Sequence, residues 1–301
     1  MTVENVAFGI ILDDLVFPDG KTQMGVLGGG GPQTAWGMAV ALGSGKTVGL
    51  VAGVGSDFDE NQLTPLKNAG INLDGVRVTD YPTPRAWQIL EADGRRTQVW
   101  RTPVQILGRQ LAKNWEVLPY KEARRFHWGI HPGETDVTFA QELKEKGLIV
   151  SLEAFKAPDT SLSAAQLSTL LDACDIFSAN HAETEAIWGT ASRKPLLALQ
   201  TIFVRRDGEQ GATVFYRGTS FRVPAIQVSQ VDVTGAGNAF CGALLARIEE
   251  GIENAVCHGI TAASYMIEQI GLPEHLPDRI DYERRFNEVK NRIFHDTEND
   301  Y

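Results

Sequence analysis

The segment Val231-Asp232-Val233-Thr234-Gly235-Ala236-Gly237-Asn238-Ala239-Phe240 is a glycine-rich turn that runs into a small-residue apolar stretch with helical spacing. A helix start leaves its first N–H groups without intrahelical partners, and glycines let several of them converge on one anion. Gly235, Ala236 and Gly237 therefore read as an anion hole, able to stabilise charge on a group in transfer. Asp232, Thr234 and Asn238 bring side-chain oxygens to the same turn. Asn238 is a neutral amide, which orients a hydroxyl but takes no proton from it.

Other segments carry compatible chemistry. Gly28 to Gly31 form a second glycine turn, and Pro32 suits the first turn of the helix that follows. Asn180-His181-Ala182-Glu183 follows an apolar run and opens a helix. Its acid lies near a helix start, although a plain capping box accounts for the same two residues. Asp13 and Asp14 close the first apolar run. A carboxylate there can accept hydrogen bonds from two neighbouring hydroxyls, while a surface turn acid is the plainer reading when the site is taken alone. Arg206-Asp207-Gly208-Glu209-Gln210-Gly211 is a further turn after an apolar strand-like run.

These groups need elements to hold them. Val3 to Leu12 reads as a buried strand, Pro32 to Leu42 as a helix, Thr47 to Ala52 as a strand and Phe58 to Asn68 as a helix. Arg85 to Trp100 reads as a hairpin about an Asp93-Gly94 turn. Phe126–Ile130, Leu148–Leu152, Ile176–Ala179 and Thr201–Val204 then alternate as strands with helices over Asp136–Lys146, Ala164–Ala173 and Ala182–Trp188. Such alternation predicts a mostly parallel sheet with helices on both faces and ligands beyond the C-terminal strand ends. Thr213–Tyr216 and Ser220–Val223 form another hairpin. Ala236–Glu250, Asn254–Gln269 and Tyr282–Ile293 close the chain as helices.

Together, and in this order, the motifs resemble the ribokinase/PfkB family of sugar and nucleoside kinases over nearly the whole chain. That family ends its signature D-T-x-G-A-G-D in a catalytic base, and Asn238 stands in that place. The resemblance implies an α/β fold: a three-layer α/β/α ribokinase-like domain over residues 1–301, with a mostly parallel central sheet. A small β-lid would come from about residues 13–27 and 82–103. The implied reaction transfers the ATP γ-phosphoryl to a hydroxyl of a small sugar, nucleoside or related substrate.

Asp14, placed by alignment on Gly9 and Leu15-Val16, would then meet substrate hydroxyls beside Gly28, Gly29 and Gln33, the last standing where the family has Asn. Asn180, Gly208, Gly211 and Thr234 would lie at the nucleotide. Glu183 would organise Mg²⁺ through water, and Asp232 would lie beside a monovalent-cation (K⁺) site. Thr83-Pro84-Arg85-Ala86-Trp87, Leu152-Glu153-Ala154, Ala262-Ala263-Ser264 and Glu268-Gln269-Ile270-Gly271-Leu272-Pro273 are similar to the fungal killer-maintenance branch. Glu153 replaces the D-x-N of sugar kinases. A catalytically weak or inactive pseudokinase that binds nucleotide or sugar fits the same residues. An engineered Asp-to-Asn change fits Asn238 alone, but not the departures at Gln33 and Glu153. Lids of this family pair in some members, so a homodimer through Trp87 and Trp100 and a monomer with those rings packed inward are both compatible.

Composition narrows the field. The 301 residues, 43% hydrophobic and 22% charged, suffice for a large core, and a net charge of −10 argues against a nucleic-acid surface. Cys174, Cys241 and Cys257 form no C-x-x-C pair, so a disulfide framework or cysteine zinc site is not expected. No window reaches the length needed to span a bilayer, which makes a soluble cytoplasmic protein the expectation. Gly43-Ser44-Gly45-Lys46-Thr47 ends like a P-loop but has Val40 where the first glycine belongs, and it precedes a strand. There is no G-x-G-x-x-G. His127 and His131 lie on one strand face roughly 13 Å apart and read as structural. Arg95-Arg96 and Arg124-Arg125 read as solvated faces, with the first pair able to meet a phosphorylated substrate from the lid.

Overall fold

The computed structural model describes residues 2–92, 96–110, 113, 115–116, 118–134, 136–189 and 194–295. The Asp93-Gly94 turn and Arg95 lie outside them. The first apolar run folds as two strands, β1 (Asn5–Phe8) and β2 (Ile11–Val16), in different sheets. Gly9, at φ 90°, turns the chain from one sheet into the other, a conformation that a side chain would strain. β3 (Thr22–Gly28) leads through the glycine turn into α1 (Gly31–Leu42), then β4 (Val48–Val54). The helix expected from Phe58 is shorter: a 3₁₀ turn over Glu60–Leu63 precedes α2 (Thr64–Asn68). Pro65 has no N–H to donate back along the chain, so an α-helix cannot run through it.

β5 (Asn72–Val78) is followed by the hairpin strands β6 (Arg85–Leu90) and β7 (Arg96–Trp100), then α3 (Val104–Gln110). The alternating region comprises β8 (Arg125–Ile130), α4 (Thr138–Glu145), β9 (Ile149–Ala154), α5 (Ala164–Asp172), β10 (Ile176–Asn180) and α6 (His181–Trp188). α7 (Lys194–Leu197), β11 (Ile202–Arg206), β12 (Ala212–Tyr216) and β13 (Thr219–Val223) come next. α8 (Ala236–Ala246), α9 (Ile252–Met266), α10 (Arg279–Lys290) and β14 (Phe294–His295) complete the described chain. α8 stops before the expected Glu250: Arg247, its C-cap, leaves helical geometry at φ −116°, and its side chain donates to Ala41 O at 2.8 and 3.1 Å. The chain then makes a 3₁₀ turn to Gly251 at φ 93°.

The large sheet runs β14-β13-β12-β11-β10-β9-β8-β1-β4-β5, parallel from β11 to β5 and antiparallel beyond. Its inner parallel strands, such as β1, β4 and β8, are buried on both faces, which is why they read as apolar runs, whereas the edge strand β5 is largely exposed or half-buried. Ala7 and Ile176 join a core with α1, α8 and α9, whereas Val6, Phe8 and Phe177 join a second core with α4, α5 and α6. The smaller sheet, β3-β2-β6-β7, pairs β2 with β6 in parallel. No helix among the described residues is long and apolar enough to cross a membrane.

α1 and α8 approach almost backbone to backbone. A Cβ added at Gly37 would fall 2.1 Å from Ala239 O, and one at Gly242 would fall 2.0 Å from Thr34 O. Neither neighbour is a side chain that could swing away. Gly242→Ala should therefore cost about 1–3 kcal/mol through forced separation of the helices. Gly108→Ala on α3, where nothing lies within 4 Å, should be neutral or stabilising by up to about 1 kcal/mol. Urea denaturation of the two variants checks the contrast.

Candidate active site

The close crossing of α1 and α8 brings their N-terminal turns together. A Cβ on Gly30 would lie 3.6 Å from Asn238 Oδ1, and one on Gly235 would lie 2.6 Å from Gln33 Cγ. Gly235 caps α8 at φ 83°. Gln33 is buried; its Oε1 accepts from Gly30 N–H at 3.1 Å and its Nε2 donates to Leu27 O at 3.5 Å, so its amide braces the glycine turn. In the α8 turn, Ala236 N–H donates back to Val233 O at 3.2 Å. The N–H groups of Gly235, Gly237 and Asn238 make no hydrogen bond among the described residues, and they are the donors left for an anion.

Adjacent acids on β2 have separate surroundings. Asp13 is buried with its Oδ2 against the glycine turn, where a Cβ on Gly28 would fall 1.9 Å from it, and its Oδ1 accepts from Gln88 Nε2 at 2.8 Å. Asp14 is enclosed by Arg85, at 2.9 and 3.0 Å, by Arg101, and by Gly25 N–H at 2.8 Å. Burial works against the Asp14 charge, but the Arg85 bonds, the Gly25 N–H and Arg101 together hold its carboxyl below the usual range. Arg101 also stacks its guanidinium over Trp87, 5.0 Å from the ring centre.

Two cation positions implied by the resemblance can be tested against this geometry. Asp232 Oδ1 accepts from Thr234 N–H at 2.9 Å, while Asp232 Oδ2 and Thr234 Oγ1 are buried without a hydrogen-bond partner among the described residues. Orphaned oxygens of this kind fit a hard monovalent cation such as K⁺. Glu183 differs. Its Oε2 accepts from Asn180 N–H at 2.7 Å in a reciprocal capping box, and Arg206 Nη2 approaches the same oxygen at 3.4 Å. A divalent ion on that carboxylate would face a guanidinium charge, so the residues present do not fit Mg²⁺ held by Glu183.

Arg206 belongs to a buried network whose members the sequence motifs held separately and did not bring together. Its Nη1 donates to Glu153 Oε2 at 2.8 Å, and a Cβ on Gly237 would meet that nitrogen at 2.0 Å. Glu153 also meets His127 Nε2 at 3.5 Å and Cys241 Sγ at 3.6 Å, while His127 Nδ1 reaches Ser151 Oγ at 2.9 Å. Burial alone would raise the Glu153 pKa; Arg206 first, then His127, bring it down to about 2. Burial opposes the Arg206 charge, but Glu153 more than offsets that and its pKa is raised. His127, Glu153 and Cys241 place nitrogen, oxygen and sulfur within 4.8 Å of one another. With Arg206 already on Glu153 and the Cys241 thiol pushed up by burial, the cluster is satisfied as an ion-pair network.

Gly208 and Gly211 lie in the turn after β11 at φ 60° and 96°. Gly211 is required, since a Cβ there would fall 2.0 Å from Val223 O. Asp207 ties this turn by accepting from Arg205 at 2.6 and 3.2 Å and from Thr213 Oγ1 at 2.6 Å. Sequence reasoning placed its candidate acid at Asp14 rather than Asp13 and gave Arg206 no role. The available signal was a charge at the end of an apolar strand, as in Ile202-Phe203-Val204-Arg205-Arg206 and Ile149-Val150-Ser151-Leu152-Glu153.

A large parallel sheet flanked by helices, a small second sheet and a glycine-lined anion turn together define a ribokinase-like fold. The profile of the pfkB family carbohydrate kinases matches residues 3–279, and the chain belongs to that family. It is 26% identical over 276 residues to a cytidine kinase of Thermococcus kodakarensis, covering 87% of this chain and 95% of that protein. It is 31% identical over 243 residues to fructokinase-1 of Zea mays, covering 73% of each. The solved structure of Burkholderia thailandensis nucleoside kinase in complex with inosine superposes with a TM-score of 0.74 at 18% identity, covering 95% of this chain and 98% of that one.

The Glu153–Arg206 pair has a pH signature. A carboxylate whose folded pKa of about 2 lies below its ordinary 4.5 adds stability above pH 4.5 and loses it as pH falls toward 2. Glu153→Gln should cost about 3–5 kcal/mol at pH 7, because it leaves Arg206 buried without its main partner. The gap between variant and wild type should narrow as pH falls below about 4.5. Urea melts at stepped pH read both effects.

Proposed function

We propose that this chain is an ATP-dependent kinase that transfers the γ-phosphoryl to a hydroxyl of a small sugar, nucleoside or related substrate, with Asn238 at the base position. The observation that carries the reading is the convergence of the α8 N–H groups, Asn238, Gly28 to Gly30 and Asp13 at one end of α1. Phosphoryl transfer through a loose transition state depends mainly on positioning and electrostatics. In this reading Gly235, Gly237 and Asn238 N–H groups receive charge on the phosphoryl, and Asn238 Oδ1 orients the attacking hydroxyl. Asp13 accepts hydrogen bonds from substrate hydroxyls, because Asp14 is engaged by Arg85 and Arg101. The smaller sheet serves as a lid that excludes water, and its edge strands expose Met24 and Val99, which a second lid in a homodimer would cover. The stretches around Thr83–Trp87 and Glu268–Pro273 support placement near the fungal killer-maintenance branch.

The amide of Asn238 favours a second reading, a catalytically weak or inactive pseudokinase that binds nucleotide or sugar. General-base assistance is worth about 10² to 10⁴ in rate, so its loss leaves slow turnover or none. ATP consumption across a panel of sugars and nucleosides distinguishes the two. Under the kinase reading the chain turns over at least one acceptor, and Asn238→Asp raises that rate by about 10² or more. Silence of both proteins on every acceptor would leave only the pseudokinase reading.

Asp232 and Thr234 hold a monovalent cation in this reading, placing fixed positive charge beside the α8 turn. KCl should then raise the thermal midpoint above that in choline chloride at equal ionic strength. Asp232→Asn should remove the difference, as followed by differential scanning fluorimetry.

A further inference from the structure

The guanidinium of Arg206 is charged, largely buried and short of acceptors. It carries five N–H donors in a fixed fork. One makes a short bond, to Glu153 Oε2 at 2.8 Å, and the contacts of Nη2 with Glu183 Oε2 and Ala154 O are long, at 3.4 and 3.5 Å. Nε is buried with no hydrogen-bond partner among the described residues. Buried donors left in this state ask for an explanation, and an acceptor supplied by a ligand is one. The position fits such a ligand. Nη1 lies so close to the α8 turn that a Cβ on Gly237 would fall 2.0 Å from it, and 16% of the Arg206 side chain still reaches solvent.

The surrounding charges agree. Glu153 is buried and answers the guanidinium directly. The Glu183 charge is met in its capping box by Asn180 N–H at the start of α6, where the helix dipole also favours it. Neither carboxylate requires a metal ion to neutralise it. The α8 turn adds the donor N–H groups of Gly235, Gly237 and Asn238 and the positive end of its own helix.

We propose that Arg206 is a phosphate-contacting residue, whose guanidinium takes the place of a Glu183-bound divalent metal in holding a polyphosphate at the α8 turn. The inference deepens the kinase reading given above and rests on it for the identity of the natural ligand, but the anion site can be tested without turnover. Glu153 acts as a positioning residue that fixes the fork against Gly237.

Inorganic tripolyphosphate is titrated calorimetrically into the protein in EDTA at constant ionic strength. The wild type should bind it without metal. In Arg206→Met/Glu153→Gln, which removes both charges together and so leaves no lone buried ion, affinity should fall by about tenfold to a hundredfold, the span of a charge-assisted hydrogen bond. The slope of affinity against salt should fall as well, which a purely structural arginine would not cause. Arg206→Lys keeps the charge without the fork and should fall between the two. Absence of metal-free binding by the wild type overturns the proposal. So does binding by the folded double variant within about twofold of wild type. Failure of the kinase reading looks different: no acceptor drives ATP consumption, while the tripolyphosphate contrast between wild type and double variant persists.

Discussion

The close approach of α1 and α8 is the constraint on which the site depends. Both helices begin in glycine turns; the α8 turn has N–H donors left over, whereas Gly30 and Gly31 N–H are engaged by Gln33 Oε1 and Gly29 O. The two turns become one site because Gly37 and Gly242 let the two backbones meet where any side chain would collide with a carbonyl oxygen. That contact places Gly30 beside Asn238 and Gly235 beside Gln33. Close packing leaves little room for relaxation, so the spacing between the two turns is set by the core. The large sheet then supplies the β9 and β11 ends at the same edge, which brings Glu153 and Arg206 against α8.

Burial at this edge decides which charges are available. Asp14 is held ionised by two arginines and a backbone N–H, and its lone pairs are occupied. Asp13, one residue away, faces the glycine turn. The two occupy opposite faces of β2, because successive strand residues alternate, so neighbours with the same chemistry have different environments. Glu183 likewise has its charge satisfied by its own helix and by Arg206. A cation stands where the turn needs one, on a side chain anchored by Glu153.

Much of the sheet was legible because buried parallel strands are short apolar runs, as in Phe126–Ile130 and Ile176–Ala179. Boundaries failed where one residue overrode the pattern: Gly9 broke the first strand, and Pro65 shortened the second helix. The glycine motifs could be read because conformational freedom is local information. The Glu153–Arg206 pair could not, since it joins residues 53 positions apart that meet only after β9, β10 and β11 align. The β2 acids posed a different difficulty. A one-residue shift in alignment exchanges the strand face, and the sequence around Asp13-Asp14 offers no apolar alternation to fix it.

The amide at Asn238 is best understood against this electrostatic frame. Replacing a carboxylate by an amide removes a negative charge from the mouth of an anion site as well as a proton acceptor. In the proposed kinase the donors of the α8 turn and the Arg206 guanidinium would then act on a bound phosphoryl without an opposing carboxylate between them and the acceptor hydroxyl. Under the proposed reading, ground-state binding of the phosphate would be strengthened by the same change that would slow deprotonation. If both states of the phosphoryl gain equally, the extra binding adds nothing to turnover, because only differential stabilisation of the transition state raises the rate. Under the proposed reading the chain would combine a well-defended anion site with a weakened proton-transfer step. That combination suits a slow kinase with a firmly held donor, and equally a protein whose task is to keep the nucleotide bound.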